Sequence, residues 1–222
     1  MTALQIQDAP NRVAVIDDDD DGRRSLARLL EVAGFGVDQW STATDFLRDA
    51  DCERYGCAVV DLRMPGLSGK QLQDRLNARG DALPLVFLSA FGTVPVSVAA
   101  MKDGAIDFLE KPADPERTLQ AVSTAVERSR AQRRQGEVRE AARAVLETLT
   151  ERELEVCRMI AGGHRSRAIA DKLGIALNTT KVHRTRVNQK TGVETPVELA
   201  DLVRRAGLDP IMSDDHDSVD DD

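Results

Sequence analysis

The sequence predicts a doubly wound α/β domain with a five-stranded parallel sheet, followed by an all-α domain. Apolar strand-like runs and helical segments alternate five times over residues 11–126, which is typical of a parallel sheet with helices on both faces. Four of the apolar runs lead into polar residues that this fold would bring together. Residues 145–208 carry helical signals throughout.

The elements of the first domain follow from local signals. Strands are expected near residues 12–17, 36–40, 57–61, 84–88 and 106–109, and helices near 22–33, 42–49, 68–79, 94–103 and 114–130. The first helix has an apolar stripe at helical spacing, formed by Leu26, Leu29, Leu30 and Ala33. Gly34-Phe35-Gly36 ends that helix, and Pro95 suits the first turn of the fourth helix.

Residues 127–144 are predicted to be a helical linker that extends the fifth helix. The stretch is polar and charged, and Gly136 is the candidate point of a break. A helical stripe resumes beyond it, with Val138, Ala142, Val145 and Leu149. A coiled-coil seam is the alternative, but apolar heptads do not persist, so the linker is favoured.

The net charge of −8 is unevenly distributed. Residues 1–125 contain 13 basic and 20 acidic residues, residues 148–208 contain 11 and 7, and residues 209–222 contain none and seven. The acidic balance therefore does not argue against nucleic-acid binding by the second domain. Three cysteines lack metal-ligand spacing, and no apolar run approaches ~18 residues. These features predict a cytoplasmic protein without a membrane span or a metal-thiolate site.

Polar side chains follow four predicted strands of the first domain, and they are Asp17, Asp18, Asp61, Ser89 and Lys111. The carboxyl ends of parallel strands border one crevice, so these groups are expected to meet there. The neighbouring Asp19, Asp20 and Asp21 are better explained as an acidic cap for the first helix. The pattern resembles the receiver domain of two-component response regulators, which has the flavodoxin/CheY-like fold.

The resemblance implies phosphoryl transfer from a sensor histidine kinase to Asp61. Because an anionic phosphoryl group must approach an anionic acceptor, a divalent cation is needed, and Mg²⁺ suits a site with few carboxylates. Asp18, Asp61 and the carbonyl of Arg63 would be direct ligands, and Asp17 would act through water. A haloacid dehalogenase-type phosphatase is the alternative, but Arg63 stands where that class has its second Asp.

Lys111 and Ser89 would hold phosphoryl oxygens, and Ser89 with Phe108 would form the conformational switch. Arg63 and Phe91 border the expected path of a hydrolytic water, and neither can act as a general base. We therefore expect the phosphoryl group on Asp61 to persist for a time on the order of hours rather than seconds. Beyond this self-catalysed acceptance and slow loss of the phosphoryl group, the protein is expected not to be an enzyme.

The second domain carries three further motifs. Thr150 and Glu153 form a capping box, which is followed by Arg167-Ala168-Ile169-Ala170-Asp171-Lys172-Leu173-Gly174-Ile175 and then by Thr179-Thr180-Lys181-Val182-His183-Arg184-Thr185-Arg186-Val187. These motifs resemble the LuxR-type helix-turn-helix domain. With the receiver they resemble the NarL/FixJ family, and residues 94–108 are most similar to the FixJ branch.

The second helix of the motif would enter the major groove of double-stranded promoter DNA. Its outward face would contact base edges through Asn178, Lys181, Val182, Thr185 and Gln189. Basic residues would contact phosphates, and they are Arg165, Arg167, Arg184, Arg186 and Lys190. An ordinary solvated helix face is the alternative for any one of these residues.

Three positions depart from the family pattern. Ala176 stands where the family has a capping Ser, so Asn178 is a candidate for a cap that starts the helix two residues late. Thr180 stands where the family has Val, and Thr191 where it has Leu or Met, which predicts weaker packing of this helix against the core.

The combined resemblance implies a transcription regulator, most simply an activator. Phosphorylation of Asp61 would drive formation of a homodimer that binds promoter DNA and acts with RNA polymerase. The alternative is a DNA-binding regulator whose receiver works without phosphorylation, which the intact acidic pair, Asp61, Ser89 and Lys111 oppose.

Residues 209–222 form an acidic tail that is expected to be disordered, because it has almost no apolar residues after Met212. It either only solubilises the protein or competes with DNA phosphates for the basic residues of the second domain.

Overall fold

A computed structural model of the protein describes residues 11–90 and 94–213. The first strands and helices are β1 (Arg12–Ile16), α1 (Asp20–Val32), β2 (Gly36–Trp40), α2 (Ala43–Asp49), β3 (Cys57–Asp61), α3 (Gly69–Arg79), β4 (Leu85–Ser89), α4 (Val94–Lys102) and β5 (Asp107–Glu110). They are followed by α5 (Pro115–Glu147), α6 (Glu151–Ala161), α7 (Ser166–Leu173), α8 (Leu177–Thr191) and α9 (Pro196–Arg205). The chain divides into two units after Arg133.

The first unit is a five-stranded parallel sheet with the order β2-β1-β3-β4-β5. Phe46, Leu72 and Ala100, from α2, α3 and α4, are buried in the cluster on one face. Leu30 and Val122, from α1 and α5, are buried in the cluster on the other face. The predicted doubly wound fold is confirmed, because helices cover both faces of the sheet.

Local signals place the helices close to their predicted positions. Asp19 caps α1, since its carboxylate accepts hydrogen bonds from the amides of Asp21 and Gly22. Ser68 and Gln71 form a capping box at the start of α3. The stripe of α1 differs slightly from the prediction, because Ala33 lies beyond the last helical residue and is exposed.

Helix α5 is continuous through Gly136, so the candidate break does not occur. A glycine within a helix costs about 1 kcal/mol relative to alanine, and the Arg, Gln, Glu and Ala residues around it favour the helix. At the last residue of the first unit, the Arg133 guanidinium donates hydrogen bonds to the carbonyls of Glu53 at 2.6 Å and Tyr55 at 2.9 Å. The receiver contacts of α5 therefore extend past residue 126, the predicted boundary.

The second unit packs α6 to α9 with the last turns of α5 around one core. Its buried apolar residues include Ala142, Leu146, Val156, Ile169, Val187, Leu199 and Val203. Ala142 and Leu149 of the predicted stripe are buried, whereas Val138 is half exposed. Among the described residues, no helix combines the length and the apolar character needed to cross a membrane.

Candidate functional site

Three carboxylates lie together at the carboxyl end of the sheet. Asp17 directly follows β1 and Asp61 ends β3, and these two strands are neighbours in the sheet. One oxygen from each of Asp17, Asp18 and Asp61 lies within 4.8 Å of the others. Asp17 is buried, Asp61 is partly buried and Asp18 is exposed, so the cluster is open to solvent on one side.

Lys111 brings a cation into this cluster from the end of β5. Its Nζ atom lies 2.7 Å from Asp17 Oδ2 and 3.4 Å from Asp61 Oδ2. Its backbone amide donates a 2.9 Å hydrogen bond to the carbonyl of Ser89, and the following Lys111–Pro112 peptide bond is cis. The structure therefore brings Asp17, Asp18, Asp61 and Lys111 together at one edge of the sheet, although up to 94 positions separate them, and Ser89 ends the neighbouring strand β4.

The cluster changes the acidity of its members. Burial raises the pKa of Asp61, and the charge of Lys111 only partly opposes this effect. Burial is the largest single effect on Lys111 and would by itself lower its pKa, but the hydrogen bonds and charges of Asp17 and Asp61 together outweigh burial, so the pKa of Lys111 is raised. Lys111 is therefore a permanent cation at neutral pH, held beside the candidate acceptor.

The loop after Asp61 is shaped by contacts with the start of α3. The amide of Arg63 donates a 3.4 Å hydrogen bond to Asp61 Oδ1, while the Arg63 side chain is exposed. A Cβ atom at Gly69 would lie 2.4 Å from the carbonyl oxygen of Asp61, so only glycine allows α3 to begin this close to β3. Phe91, the other residue expected to border the water path, lies outside the described residues.

The two candidate switch residues lie on the neighbouring strands β4 and β5. Ser89 is buried at the end of β4. Phe108 is partly buried against the cluster that includes Ala100 and Ala105, and its ring centroid lies 6.2 Å from that of Phe87. A small inward movement of Phe108 would therefore change the packing beneath α4.

The oxygen-rich cluster fits a divalent cation. Its donors are carboxylates, which are hard ligands of the kind that Mg²⁺ and Ca²⁺ take, and three of them converge without thiol or imidazole groups. Asp61, the candidate phosphoryl acceptor, is itself a member of this cluster, an arrangement that would suit transfer of an anionic group onto its carboxylate.

Helices α7 and α8 form the helix-turn-helix of the second unit. The turn passes through Gly174, whose φ of 62° is in the left-handed region. On α8, Thr180 and Val187 are fully buried, whereas Asn178, Lys181, Val182, Thr185 and Gln189 are exposed. Arg165, Arg167 and Arg186 are also exposed, and Arg184 is half-buried. The predicted division of α8 into a core face and an outward face is confirmed.

Lys190 differs from its predicted environment. Its Nζ atom lies 2.6 Å from Glu153 Oε2 and 3.0 Å from the carbonyl oxygen of Thr148. The carboxylate of Glu153 is buried and also accepts a hydrogen bond from the amide of Thr150 at 3.0 Å. Lys190 therefore joins α8 to the capping box of α6, although the residue is also exposed to solvent. The sequence indicated the capping box but not this partner, which lies 37 positions away.

The expected cap at Asn178 is wrong. Helix α8 begins at Leu177 with Ala176 in the capping position, and α8 has no side-chain cap hydrogen bond. The same holds for α7, where Arg165 is in the capping position. By contrast, α6 and α9 both begin with complete capping boxes. Helix α8 therefore has its full length despite the missing cap, and Thr180 and Val187 are fully buried on its core face.

Replacing Thr180 with valine is expected to stabilise the second unit by about 1 kcal/mol. Thr180 Oγ1 is buried and has no hydrogen-bond partner among the described residues, so the hydroxyl has lost its hydration without compensation. Valine has nearly the same shape and no such group. Amide hydrogen exchange in α8 measures the change, and Thr179→Val, at an exposed neighbour, should leave exchange almost unaltered. Faster exchange in Thr180→Val would contradict the prediction.

Comparison with known proteins agrees with both units. Residues 13–123 match the response regulator receiver domain, and residues 147–203 match bacterial regulatory proteins of the luxR family. The transcriptional regulatory protein FixJ of Azorhizobium caulinodans is 40% identical over 198 residues, which cover 89% of this chain and 94% of that protein. The chain belongs to the NarL/FixJ family of response regulators.

Other members of the family agree with this assignment. The transcriptional regulatory protein TdiR of Thauera aromatica is 38% identical over 194 residues, covering 87% of this chain and 85% of that protein. The solved structure of the response regulator StyR has a TM-score of 0.78 at 39% identity, covering 87% of this chain and 98% of that chain. As a NarL/FixJ regulator, the protein is a transcription regulator of a two-component system, and its two domains imply a kinase and DNA as partners.

Proposed function

We propose that Asp61 accepts a phosphoryl group from a sensor histidine kinase and that this acceptance drives dimerisation and promoter binding. The observation that carries the proposal is the convergence of Asp17, Asp18 and Asp61 within 4.8 Å, with Lys111 Nζ 3.4 Å from Asp61. A structural ion pair would need only one carboxylate for one ammonium group. Three carboxylates leave an excess of negative charge that suits a bound cation.

In the proposed reaction, an Asp61 carboxylate oxygen attacks the phosphorus atom of the phosphohistidine. The new O–P bond forms as the P–N bond breaks, and the electron pair of that bond stays on the imidazole nitrogen. Lys111 lies where its ammonium group can pair with a phosphoryl oxygen, and Ser89, at the end of the neighbouring strand, supplies a hydroxyl group. These groups act by position and charge rather than by proton transfer.

Mg²⁺ is the proposed cation, with Asp18, Asp61 and the Arg63 carbonyl as direct ligands and Asp17 acting through water. Two hydrogen bonds support this water-mediated role of Asp17. One of its carboxylate oxygens already accepts a 2.7 Å hydrogen bond from Lys111, and the other accepts one from the amide of Asp19. When bound, the cation neutralises part of the charge between acceptor and phosphoryl group. Asp18 is exposed and Asp61 is partly exposed, so both are accessible to a cation from solvent.

Dimerisation is proposed to follow from movement of Ser89 and Phe108 towards the phosphoryl group. Phe108 packs against the cluster that contains Ala100 of α4, so its movement would alter the surface formed by α4 and β5. That surface exposes Val98 and Met101, apolar side chains that a second copy could cover. In the proposal, the dimer binds promoter DNA and activates transcription through RNA polymerase.

The relatives support the remaining parts of the proposal. FixJ and TdiR are both described as transcriptional regulatory proteins, and we extend that role to this chain as an activator. We propose a cytoplasmic location, where the DNA is. We also propose that the protein catalyses no reaction on other substrates and that it loses its own phosphoryl group slowly.

Incubation with acetyl phosphate and Mg²⁺, followed by a Phos-tag gel, tests the proposal. The parent protein should show a retarded band, and Asp61→Asn should show none, because the amide is not a nucleophile for phosphorus. Asp45→Asn, at a carboxylate of the same unit on α2, is the matched control and should be retarded like the parent. Retardation of Asp61→Asn to the parent level would show that another residue accepts the phosphoryl group.

A further inference from the structure

The last described residues of the chain are held against the turn between α6 and α7. The amide of Ser213 donates a 3.1 Å hydrogen bond to the carbonyl of Gly162, and the amide of Ile211 donates to the carbonyl of Arg158 at 2.9 Å. A Cβ atom at Gly162 would lie 1.8 Å from the carbonyl oxygen of Ile211. Glycine at position 162 therefore permits this close approach. Residues 209–213, which were expected to belong to a disordered tail, are instead attached to the domain by these hydrogen bonds.

Two exposed arginines follow this turn directly. Arg165 and Arg167 lie three and five positions after Gly162, and neither forms an ion pair with another residue in the part of the chain that the structure describes. Consecutive Cα atoms lie about 3.8 Å apart, so Arg165 is at most about 11 Å and Arg167 at most about 19 Å from Gly162. We call the exposed side chains of these two residues the Arg165–Arg167 surface.

Residues 214–222, the part of the predicted tail that lies outside the described residues, have the opposite charge. Residues 214–222 contain six aspartates and no lysine or arginine, whereas residues 148–208 contain 11 basic and 7 acidic residues. Nine extended residues reach up to about 31 Å, which exceeds both distances, so aspartates of this segment can reach the Arg165–Arg167 surface. The sequence alone did not distinguish this surface from the other basic residues, and Lys190 already has Glu153 as its partner.

We propose that the acidic tail, residues 214–222, docks on the Arg165–Arg167 surface of its own domain and competes there with DNA phosphates. Tethering gives the tail an effective concentration of ~mM, which is enough to compete with weak phosphate contacts. Because a specific site adds base contacts that the tail cannot imitate, the competition acts mainly on non-specific DNA. The tail therefore raises the ratio of specific to non-specific binding.

Affinity for a random-sequence duplex tests the proposal with the full chain and a chain that ends at Ser213. Truncation should raise the affinity about 3- to 10-fold in about 50 mM salt and less than about 2-fold in about 200 mM salt, because the competing contacts are electrostatic. A chain of full length with its six tail aspartates replaced by asparagine should behave like the truncated chain, since it keeps the length and loses the charge.

Substitution of the arginines identifies the docking surface. In Arg165→Gln/Arg167→Gln the affinity itself should fall, but truncation should no longer change it. In the matched pair Arg184→Gln/Arg186→Gln the affinity should also fall, and truncation should still raise it as in the parent. An equal effect of truncation in both pairs would mean general repulsion by the tail and would overturn docking on this surface. If truncation changes the affinity for DNA neither in the parent nor in either double variant, the proposed competition with DNA phosphates is overturned.

Two further measurements separate docking from other causes. At about 50 mM salt, the side-chain Nε–Hε NMR signals of Arg165 and Arg167 should differ between the full and truncated chains, whereas those of Arg204 and Arg205 on α9 should not. These shifts should not depend on protein concentration. Shifts that grow with concentration would assign the tail to the surface of a second copy and overturn docking within one chain.

Discussion

Lys111→Ala is expected to leave phosphoryl acceptance by Asp61 possible and to abolish the dimerisation that follows it. The Lys111 ammonium group lies 3.4 Å from Asp61, and the Lys111 backbone amide donates a hydrogen bond to the carbonyl of Ser89. This residue therefore joins the candidate acceptor to the ends of β4 and β5. A phosphoryl group adds about −1.5 to −2 charge units at Asp61, and without the ammonium group the strand ends are not drawn towards it.

Light scattering after treatment with acetyl phosphate and Mg²⁺ measures this loss, and a Phos-tag gel of the same samples measures the phosphorylated fraction. Arg48→Ala is the control, because it removes a cation whose partners, Asp45 and Asp49, lie outside the site. It should dimerise like the parent. Normal dimerisation of phosphorylated Lys111→Ala would disprove the coupling role, and failure to accept the phosphoryl group would show that Lys111 is needed for the transfer itself.

Glu153→Gln is expected to destabilise the second unit by about 2–3 kcal/mol, because it removes the charge of a buried carboxylate that is paired with Lys190. Glutamine keeps an acceptor for the amide of Thr150, so the change isolates the ion pair from the cap. The only Trp and Tyr of the chain lie in the first unit, at Trp40 and Tyr55, so their fluorescence does not report on this unit. Amide hydrogen exchange in α6 and α8 is the appropriate measurement.

Two matched variants complete this test. Glu155→Gln breaks the more exposed pair with Arg152 and should cost less than about 0.5 kcal/mol. Lys190→Met should destabilise the unit in the absence of DNA, whereas a lysine that served only to contact phosphates would leave stability unchanged. Unaltered hydrogen exchange in both Glu153→Gln and Lys190→Met would show that the ion pair does not stabilise the unit, which would leave Lys190 only the predicted contact with DNA phosphates.

The stabilisation from Glu153 should also depend on pH. Its hydrogen bond with Lys190 and those with Thr150 lower the pKa of Glu153 from 4.5 to about 2. The folded state therefore binds fewer protons than the unfolded state between these values, and stability falls as the pH falls. The difference in the free energy of unfolding between the parent and Glu153→Gln should have its full size above about pH 4.5 and should shrink towards about pH 2.

The carboxylate cluster and the outward face of α8 were predictable because each depends on a local rule. In a parallel sheet, the residue after each strand lies at the common carboxyl edge, so Asp17, Asp61 and Lys111 were expected to border one crevice. On a helix the 3.6-residue repeat decides which side chains share a face, which placed Thr180 and Val187 inwards and Lys181 and Thr185 outwards.

Three features required the tertiary structure: the Lys190–Glu153 pair, the hydrogen bonds from Arg133 to the carbonyls of Glu53 and Tyr55, and the attachment of Ser213 beside Gly162. Each joins residues that are 37 to 80 positions apart in the sequence. Charge and periodicity show that such side chains are polar or basic, but several partners satisfy those requirements equally well. Only the packing of the elements against a shared core selects among them, because it sets the distances between the elements on which the side chains stand.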